Sequence, residues 1–452
     1  MNPIMTPTNI LEQVQKACPD AHYEFINAQA FGGNKEIRKF VLHNGLTVLF
    51  LRDEAAPLFA YHTWMRVGSR HEKEGRTGIA HLFEHLMFKA TKNHGEGEFD
   101  RLMERRGAQT NAATWVDWTY YHEVLPASGD NLEFVIQMES ERMANLILNS
   151  DQLESEREVV KNERLYRVDD DPDGTMFEVL YKLALPDYPY GWPTIGWMKD
   201  IEAISLDDCM EFYRRYYSPN NAVVVLVGDV DPVESLSLIA RYYGHLEAQD
   251  IPVETVPELP RIDDLRRKEM KLAISQERMI MCWIGPGLHD PDLMALDVAM
   301  EILFGGDSSR IHRRLVVDTE MASSVGGWAT HFEYPGLMEI SVSMKPGRAA
   351  EEAEEAILEE LAAMVDAPPS DAELTKARNQ FESSLYHALT TANARAGKLG
   401  HYEITVGDYR KFMENALNIR KVTAADVHRV AQRIFKPDGR AVVVARPAGG
   451  GE

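Results

Sequence analysis

Residues 200–226 read DIEAISLDDCMEFYRRYYSPNNAVVVL, and residues 418–444 read NIRKVTAADVHRVAQRIFKPDGRAVVV. Laid against each other without a gap, Asp208 meets Asp426, Arg215 meets Arg433, Tyr217 meets Phe435 and Pro219 meets Pro437, at an offset of 218 throughout. In each copy a hydroxyl residue, Ser205 or Thr423, stands three positions before an aspartate. That spacing is a capping-box-like start for a helix. The helix ends near a proline turn, and an apolar β run follows, Val223–Leu226 in one copy and Ala441–Val444 in the other. A register held over this length predicts two related halves, each an α/β unit that closes with helix, turn and strand.

Between the copies, Ile251–Leu265 holds Pro252, Pro257, Pro260 and several acids, the composition of an extended, semi-rigid linker. The expected domains are a peripheral extension over 1–34, a first domain over 35–248, a linker over 249–265 and a homologous second domain over 266–452. Within the first, Phe40–Leu42 and Leu46–Phe50 flank Asn44-Gly45, a strong hairpin signal. A third strand is expected through Leu58–Val67. Gly78–Lys89, rich in Ala, Leu, Met and Phe, predicts a helix.

A chain of 452 residues exceeds a single core. Its formal net charge of −23 argues against nucleic acid and against anionic membrane surfaces, and suits neutral or basic peptides. No run of apolar residues is long enough to span a bilayer. The three cysteines, Cys18, Cys209 and Cys282, form no CxxC pair and give neither a disulfide framework nor a thiolate metal site. No signal peptide is visible, so the expected compartment is cytoplasmic, or periplasmic if a leader was removed.

The chemistry is concentrated in His81-Leu82-Phe83-Glu84-His85. Residues four apart share a helical face, so both imidazoles can point at one ion, and Glu84 stands beside the same spot. This is the HExxH arrangement reversed. Zinc lowers the pKa of water toward 7, and a neighbouring carboxylate can take the proton and later give it to the leaving amine. A catalytic zinc takes a third protein ligand. The acidic stretch 151–171 offers Glu154, Glu156, Glu158 and Glu163, and geometry alone does not choose among them. Glu156 and Glu163, seven apart, lie on one face of a helix.

These motifs resemble the pitrilysin, insulinase and mitochondrial processing peptidase family of inverted-motif zinc peptidases. The resemblance runs from about Ile37 to Ala445. It is carried by Val67–Arg70, Gly78–Phe88, Asn111–Thr114, Asp117–Tyr120, Glu156–Glu163 and Leu303–Gly306 with Ser308-Ser309-Arg310. It implies a fold of two homologous α/β (α+β) domains, each with a mixed, mostly antiparallel sheet flanked by helices, folded toward each other like a clamshell. It implies one zinc per chain held by His81, His85 and Glu163, with Glu84 as general base and Glu156 as a supporting acid. It also implies that peptides dock as an added strand along Asn111, Ala112, Ala113 and Thr114.

One departure bears on partners. Active relatives place an Arg and a Tyr seven residues apart in the second half. Aligned on Leu315, those positions hold Val316 and Ser323, and neither Arg313 nor Arg314 has a Tyr seven residues on. The expectation is a zinc-bearing subunit of a heterodimer whose homologous partner supplies the Arg/Tyr pair, with a homodimer as the alternative. The family also includes scaffold subunits without catalysis, but those tend to lose the ligands that this chain keeps.

Overall fold

The computed structural model describes residues 5–256 and 258–448, so Pro257 of the expected linker lies outside the described residues. The first sheet comprises β1 (Tyr23–Ala30), β2 (Glu36–Leu42), β3 (Thr47–Arg52), β4 (Leu58–Met65), β5 (Gln109–Thr114), β6 (Thr119–Pro126) and β7 (Ala222–Gly228). Their spatial order is β1-β2-β3-β7-β4-β6-β5. The second sheet comprises β8 (Arg266–Leu272), β9 (Arg278–Ile284), β10 (Ala322–Ala329), β11 (Leu337–Met344) and β12 (Ala441–Pro447), in the order β10-β11-β9-β12-β8.

Read from β3 and from β8, the two orders coincide strand for strand, and β1 and β2 are additions to the first. In each sheet the repeat's strand lies parallel to one neighbour and antiparallel to the other. β7 pairs with β3 and β4 in this way, and β12 with β8 and β9. The remaining described pairs are antiparallel, so both sheets are mixed and mostly antiparallel.

Both capping boxes form. Ser205 Oγ accepts from Asp208 N–H at 3.2 Å while Asp208 Oδ2 accepts from Ser205 N–H at 2.9 Å, and Thr423 and Asp426 repeat both distances. The helices so started, Leu206–Tyr216 and Ala424–Ile434, lead into β7 and β12. The β2–β3 hairpin also forms, with Phe40 opposite Val48. Gly45 sits at φ +89°, where a Cβ would fall 2.7 Å from the Asn220 Cβ, so the turn requires glycine.

The chain divides into two compact units: 1–161 with 194–255 and 388–412, and 162–193 with 256–387 and 413–452. Each unit thus takes a segment from the other half of the sequence. Helix Ala392–Val406 packs its Ala396, Leu399 and Ile404 on the face of the first sheet that carries Leu49, Leu51, Trp64 and Val225. Helix Pro172–Ala184 covers β9 and β12 of the second sheet. The helix Pro7–Ala17 and strand β1 lie in the stretch expected to be peripheral. Ile10 and Val14 are nonetheless buried in the first unit's core, and β1 is an edge strand paired with β2. No described residue between 251 and 265 lies in a helix or strand. Among the described residues no helix is long and apolar enough to cross a membrane.

Candidate metal centre

Helix Ile79–Leu86 carries both histidines, and its apolar pattern decides where they point. Ile79, Ala80, Leu82, Phe83 and Leu86 are buried in the first core, which leaves His81, Glu84 and His85 together on the remaining, half-exposed face. The helix start is held from outside. Gly78 has no capping side chain, and the Glu72 carboxylate takes that role, accepting from Gly78 N–H at 2.9 Å and Ala80 N–H at 2.8 Å. A negative charge there also complements the helix dipole. Gly78 sits at φ +89°, and a Cβ on it would lie 2.5 Å from the Ile195 carbonyl oxygen. Thr77 donates to the buried Asp200 at 2.7 Å and accepts from Trp197 N–H at 2.9 Å. These contacts fix the helix to the chain that precedes Leu206–Tyr216.

Glu163 comes from helix Ser150–Arg164. The division between the units falls inside the last turn of this helix, which is unbroken, so Glu156 and Glu163 share one rigid element. His81, His85 and Glu163 each offer a ligand atom, and the three atoms lie within 4.8 Å of one another. The imidazole centroids are 4.8 Å apart with planes at 73°. Two nitrogens and one carboxylate oxygen converging in this way fit zinc, with a coordination position left over, whereas calcium and magnesium prefer all-oxygen sets. Among the described residues the other glutamates left open by spacing do not join this group, and pairing alone does not separate them, since Glu163 itself meets Arg167 at 3.0 Å. Glu154 pairs with Arg157, and Glu158 pairs with Lys161 at 2.8 Å.

Glu156 is not in the ligand group. Its Oε2 lies 3.3 Å from His85 Nδ1, and its Oε1 lies 2.6 Å from Lys89 Nζ. A carboxylate on Nδ1 leaves Nε2 as the lone-pair nitrogen for a metal and fixes the ring's tilt. Burial works to raise the Glu156 pKa, but His85 and Lys89 outweigh it and hold the carboxyl below its ordinary value.

Glu84 faces β5. The Thr114 hydroxyl donates to Glu84 Oε2 at 2.5 Å, and the nearby Thr119 hydroxyl donates to the Val67 carbonyl at 2.9 Å. β5 is the last strand of its sheet, paired with β6 alone, so its outer backbone groups face away from the ladder. Asn111 Oδ1 accepts from Ala112 N–H at 2.9 Å, Ala113 pairs with Tyr120, and both Asn111 and Ala112 reach a cleft of about 350 Å³ lined by Glu84 and His85.

Sequence reading did not find Glu72, Lys89 or the bond from Thr114 to Glu84. Lys89 stands four residues after His85, a visible spacing. The other two contacts depend on tertiary closure. In the second half, Arg314 pairs with Glu359 and Glu360, Arg313 pairs with Asp318 at 3.3 Å, and the Ser323 hydroxyl donates to the Ser343 carbonyl at 3.1 Å.

Two family models match the chain. The model described as insulinase (peptidase family M16) covers residues 47–196, and the one described as the peptidase M16 inactive domain covers residues 203–381. The chain belongs to the M16 (insulinase) peptidase family. The split agrees with the site, because the metal-site helices fall under the first model. Among M16 relatives, the zinc protease PqqE of Helicobacter pylori is 29% identical over 411 residues, which is 90% of this chain and 92% of that protein. An uncharacterized zinc protease of Mycobacterium leprae is 28% identical over 412 residues, 89% of this chain and 90% of its own length. The crystal structure of a protease from Helicobacter pylori matches with a TM-score of 0.86 at 28% identity, covering 94% of this chain and all of that one (100%).

Proposed function

We propose that this chain hydrolyses peptide bonds in short or unfolded peptides, with one zinc held by His81, His85 and Glu163 and with Glu84 as general base. The observation that carries the reading is the convergence of those three side chains within 4.8 Å on two helices. Zinc, when bound, supplies Lewis acidity that polarises a peptide carbonyl and acidifies water. The remaining work belongs to the chain. The Glu84 carboxylate takes a proton from the attacking water and returns it to the leaving amine. The Thr114 hydroxyl keeps that carboxylate turned toward the site. Glu156 keeps His85 in the tautomer that presents Nε2. The free edge of β5, from Asn111 to Thr114, pairs with the backbone of an extended peptide, which grips it without reading side chains.

The absence of an Arg/Tyr pair at Val316 and Ser323 supports a role as the zinc-bearing subunit of a heterodimer. A homologous partner would then contribute the groups that bind the peptide over the metal. The test is cleavage of an unstructured fluorogenic peptide by the rigorously pure, zinc-loaded chain, alone and with a candidate homologous subunit. Turnover that appears only with the partner and is abolished by Glu84→Gln supports the reading. Full turnover by the pure chain overturns the heterodimer and keeps the peptidase. Turnover that survives Glu84→Gln overturns the assignment of the base.

A further inference from the structure

Two of the stretches that carry the family resemblance, Val67–Arg70 and Asp117–Tyr120, supply no ligand to the metal group, and the fold brings them together. Gly68 lies against the turn that joins β5 to β6. A Cβ there would fall 2.2 Å from the Trp115 carbonyl oxygen and 2.6 Å from the Trp118 nitrogen, so only glycine permits the approach. The approach lets Ser69 N–H donate to the Trp115 carbonyl and Arg70 N–H to the Val116 carbonyl, each at 3.0 Å. In return the Thr119 hydroxyl donates to the Val67 carbonyl at 2.9 Å. Side chains then close the contact. Arg70 Nε meets Asp117 Oδ1 at 2.7 Å, with 4% and 1% of the two side chains exposed. A second nitrogen of the same guanidinium, Nη1, donates to Glu254, from the stretch expected to be linker.

The turn held in this way leads to the base. Thr119 and Thr114 stand opposite each other on β6 and β5, their hydroxyl oxygens 3.4 Å apart, and Thr114 is the residue that donates to Glu84. The same stretch reaches the base from a second direction. Two residues after Arg70, Glu72 accepts from Gly78 N–H and Ala80 N–H at the start of the helix that carries Glu84. Residues 67–72 are thus attached at one end to the strand that bears the hydroxyl and at the other to the helix that bears the carboxylate. Burying two charges costs desolvation that their attraction only partly offsets. An ion pair as dry as Arg70–Asp117 is therefore weak evidence for stability, and it suits a role in fixing geometry.

We propose that Arg70, through Asp117, is a positioning residue for the base: it fixes the β5–β6 turn so that the Thr114 hydroxyl meets Glu84. This rests on the peptidase reading and extends it to residues outside the metal group. Neither Arg70 nor Asp117 touches the peptide or the metal, and their effect reaches the reaction by way of Thr114.

The test is a double-mutant cycle in kcat on the zinc-loaded chain, together with its homologous subunit where turnover requires one. Asp117→Asn and Arg70→Lys, which loses the forked reach to both acids, are each made alone and in a Thr114→Val background. Each should lower kcat about tenfold, with KM within about twofold and zinc content unchanged, because a displaced hydroxyl costs turnover more than binding. In the Thr114→Val background the further loss should be about twofold or less, since the route to Glu84 is already cut. Glu354→Gln removes one partner of a buried pair in the second unit, Arg440–Glu354 at 2.7 Å, and should lower thermal stability while leaving kcat intact. Either of the two substitutions that folds decides the matter. An unchanged kcat, or the same tenfold loss with and without Thr114, would overturn the inference and leave the peptidase standing. A matching loss of kcat from Glu354→Gln would overturn it too, by reducing the effect to stability. No turnover by the unmutated chain, alone or with its partner, would overturn the reading beneath it.

Discussion

Helix Ile79–Leu86 and helix Leu293–Phe304 hold the same place in their units, each the first α-helix after the antiparallel neighbour of the repeat's strand. One reads IAHLFEHL and the other LMALDVAMEILF. The second is buried along most of its length and offers no nitrogen ligand, while the first spends its exposed face on two histidines and a glutamate. The sheets behind them share strand order, pairing sense and capping boxes. The comparison separates what folds the chain from what acts in it. A common topology is kept by apolar alternation and by short-range caps, and the chemistry is added by a handful of polar residues in one copy.

The largest effect expected from this contrast is that of Glu84→Gln. It should lower kcat by about 10²–10⁴-fold, the usual share of a general base, with zinc content unchanged. A variant that keeps more than a tenth of its turnover would remove Glu84 from the mechanism.

The buried histidines of the first half and the buried glutamate of β11 should respond to pH in opposite directions. In the first, burial pushes His62 and His71 down to about 3. Each is neutral when folded but takes up a proton when unfolded, so stability is full above pH 6.5 and falls as the pH drops below it, by about 2 kcal/mol per histidine at pH 5. In the second, Glu339 on β11 is buried beside Cys282, accepts a hydrogen bond from Tyr181, and is pushed up to about 7. Its stabilising contribution is present in acid and is lost as the pH rises from about 4.5 through 7, amounting to about 3 kcal/mol at pH 8. Hydrogen exchange, corrected for intrinsic rates, should show β4 losing protection at pH 5 and β11 losing it at pH 8. Glu339→Gln should restore β11 at pH 8. Identical pH trends in the two sheets would break the contrast.

Smaller effects sharpen it at the site. Glu156→Gln should weaken zinc binding by about 10–100-fold, because His85 loses the charged acceptor that sets its tautomer and raises its basicity; unaltered affinity would leave Glu156 as a partner of Lys89 only. Thr114→Val should cost about tenfold in kcat with little change in KM, the signature of a group that positions the base. A rise in KM alone would make Thr114 a substrate contact instead.

How much of this was legible in the sequence depends on the range of each interaction. The hairpin at Asn44-Gly45, both capping boxes and the face shared by His81 and His85 follow from residues within four positions of each other, and each forms as read. The choice of Glu163 over its neighbours did not follow from spacing, because four glutamates stand within ten residues on one helix, and the resemblance to a known family made the choice. Glu72 as a cap and Thr114 on Glu84 join residues brought together only by tertiary closure. The integration of residues 7–30 was hidden because β1 alternates half-exposed with exposed positions, a weak signal typical of an edge strand. The exchange of 162–193 and 388–412 between units was hidden because composition along the chain marks linkers and does not report which core a helix joins.

The central claim is a division of labour in which His81, His85 and Glu163 hold the metal and Glu84 does not. Zinc stoichiometry and affinity, measured on the wild-type chain, Glu84→Gln and Glu163→Gln under one buffer condition, test it most directly. The expected result is one tightly bound zinc for the wild type and for Glu84→Gln, and loss of that zinc from a folded Glu163→Gln. Retention of zinc at wild-type affinity by Glu163→Gln, or its loss from Glu84→Gln, would contradict the assignment.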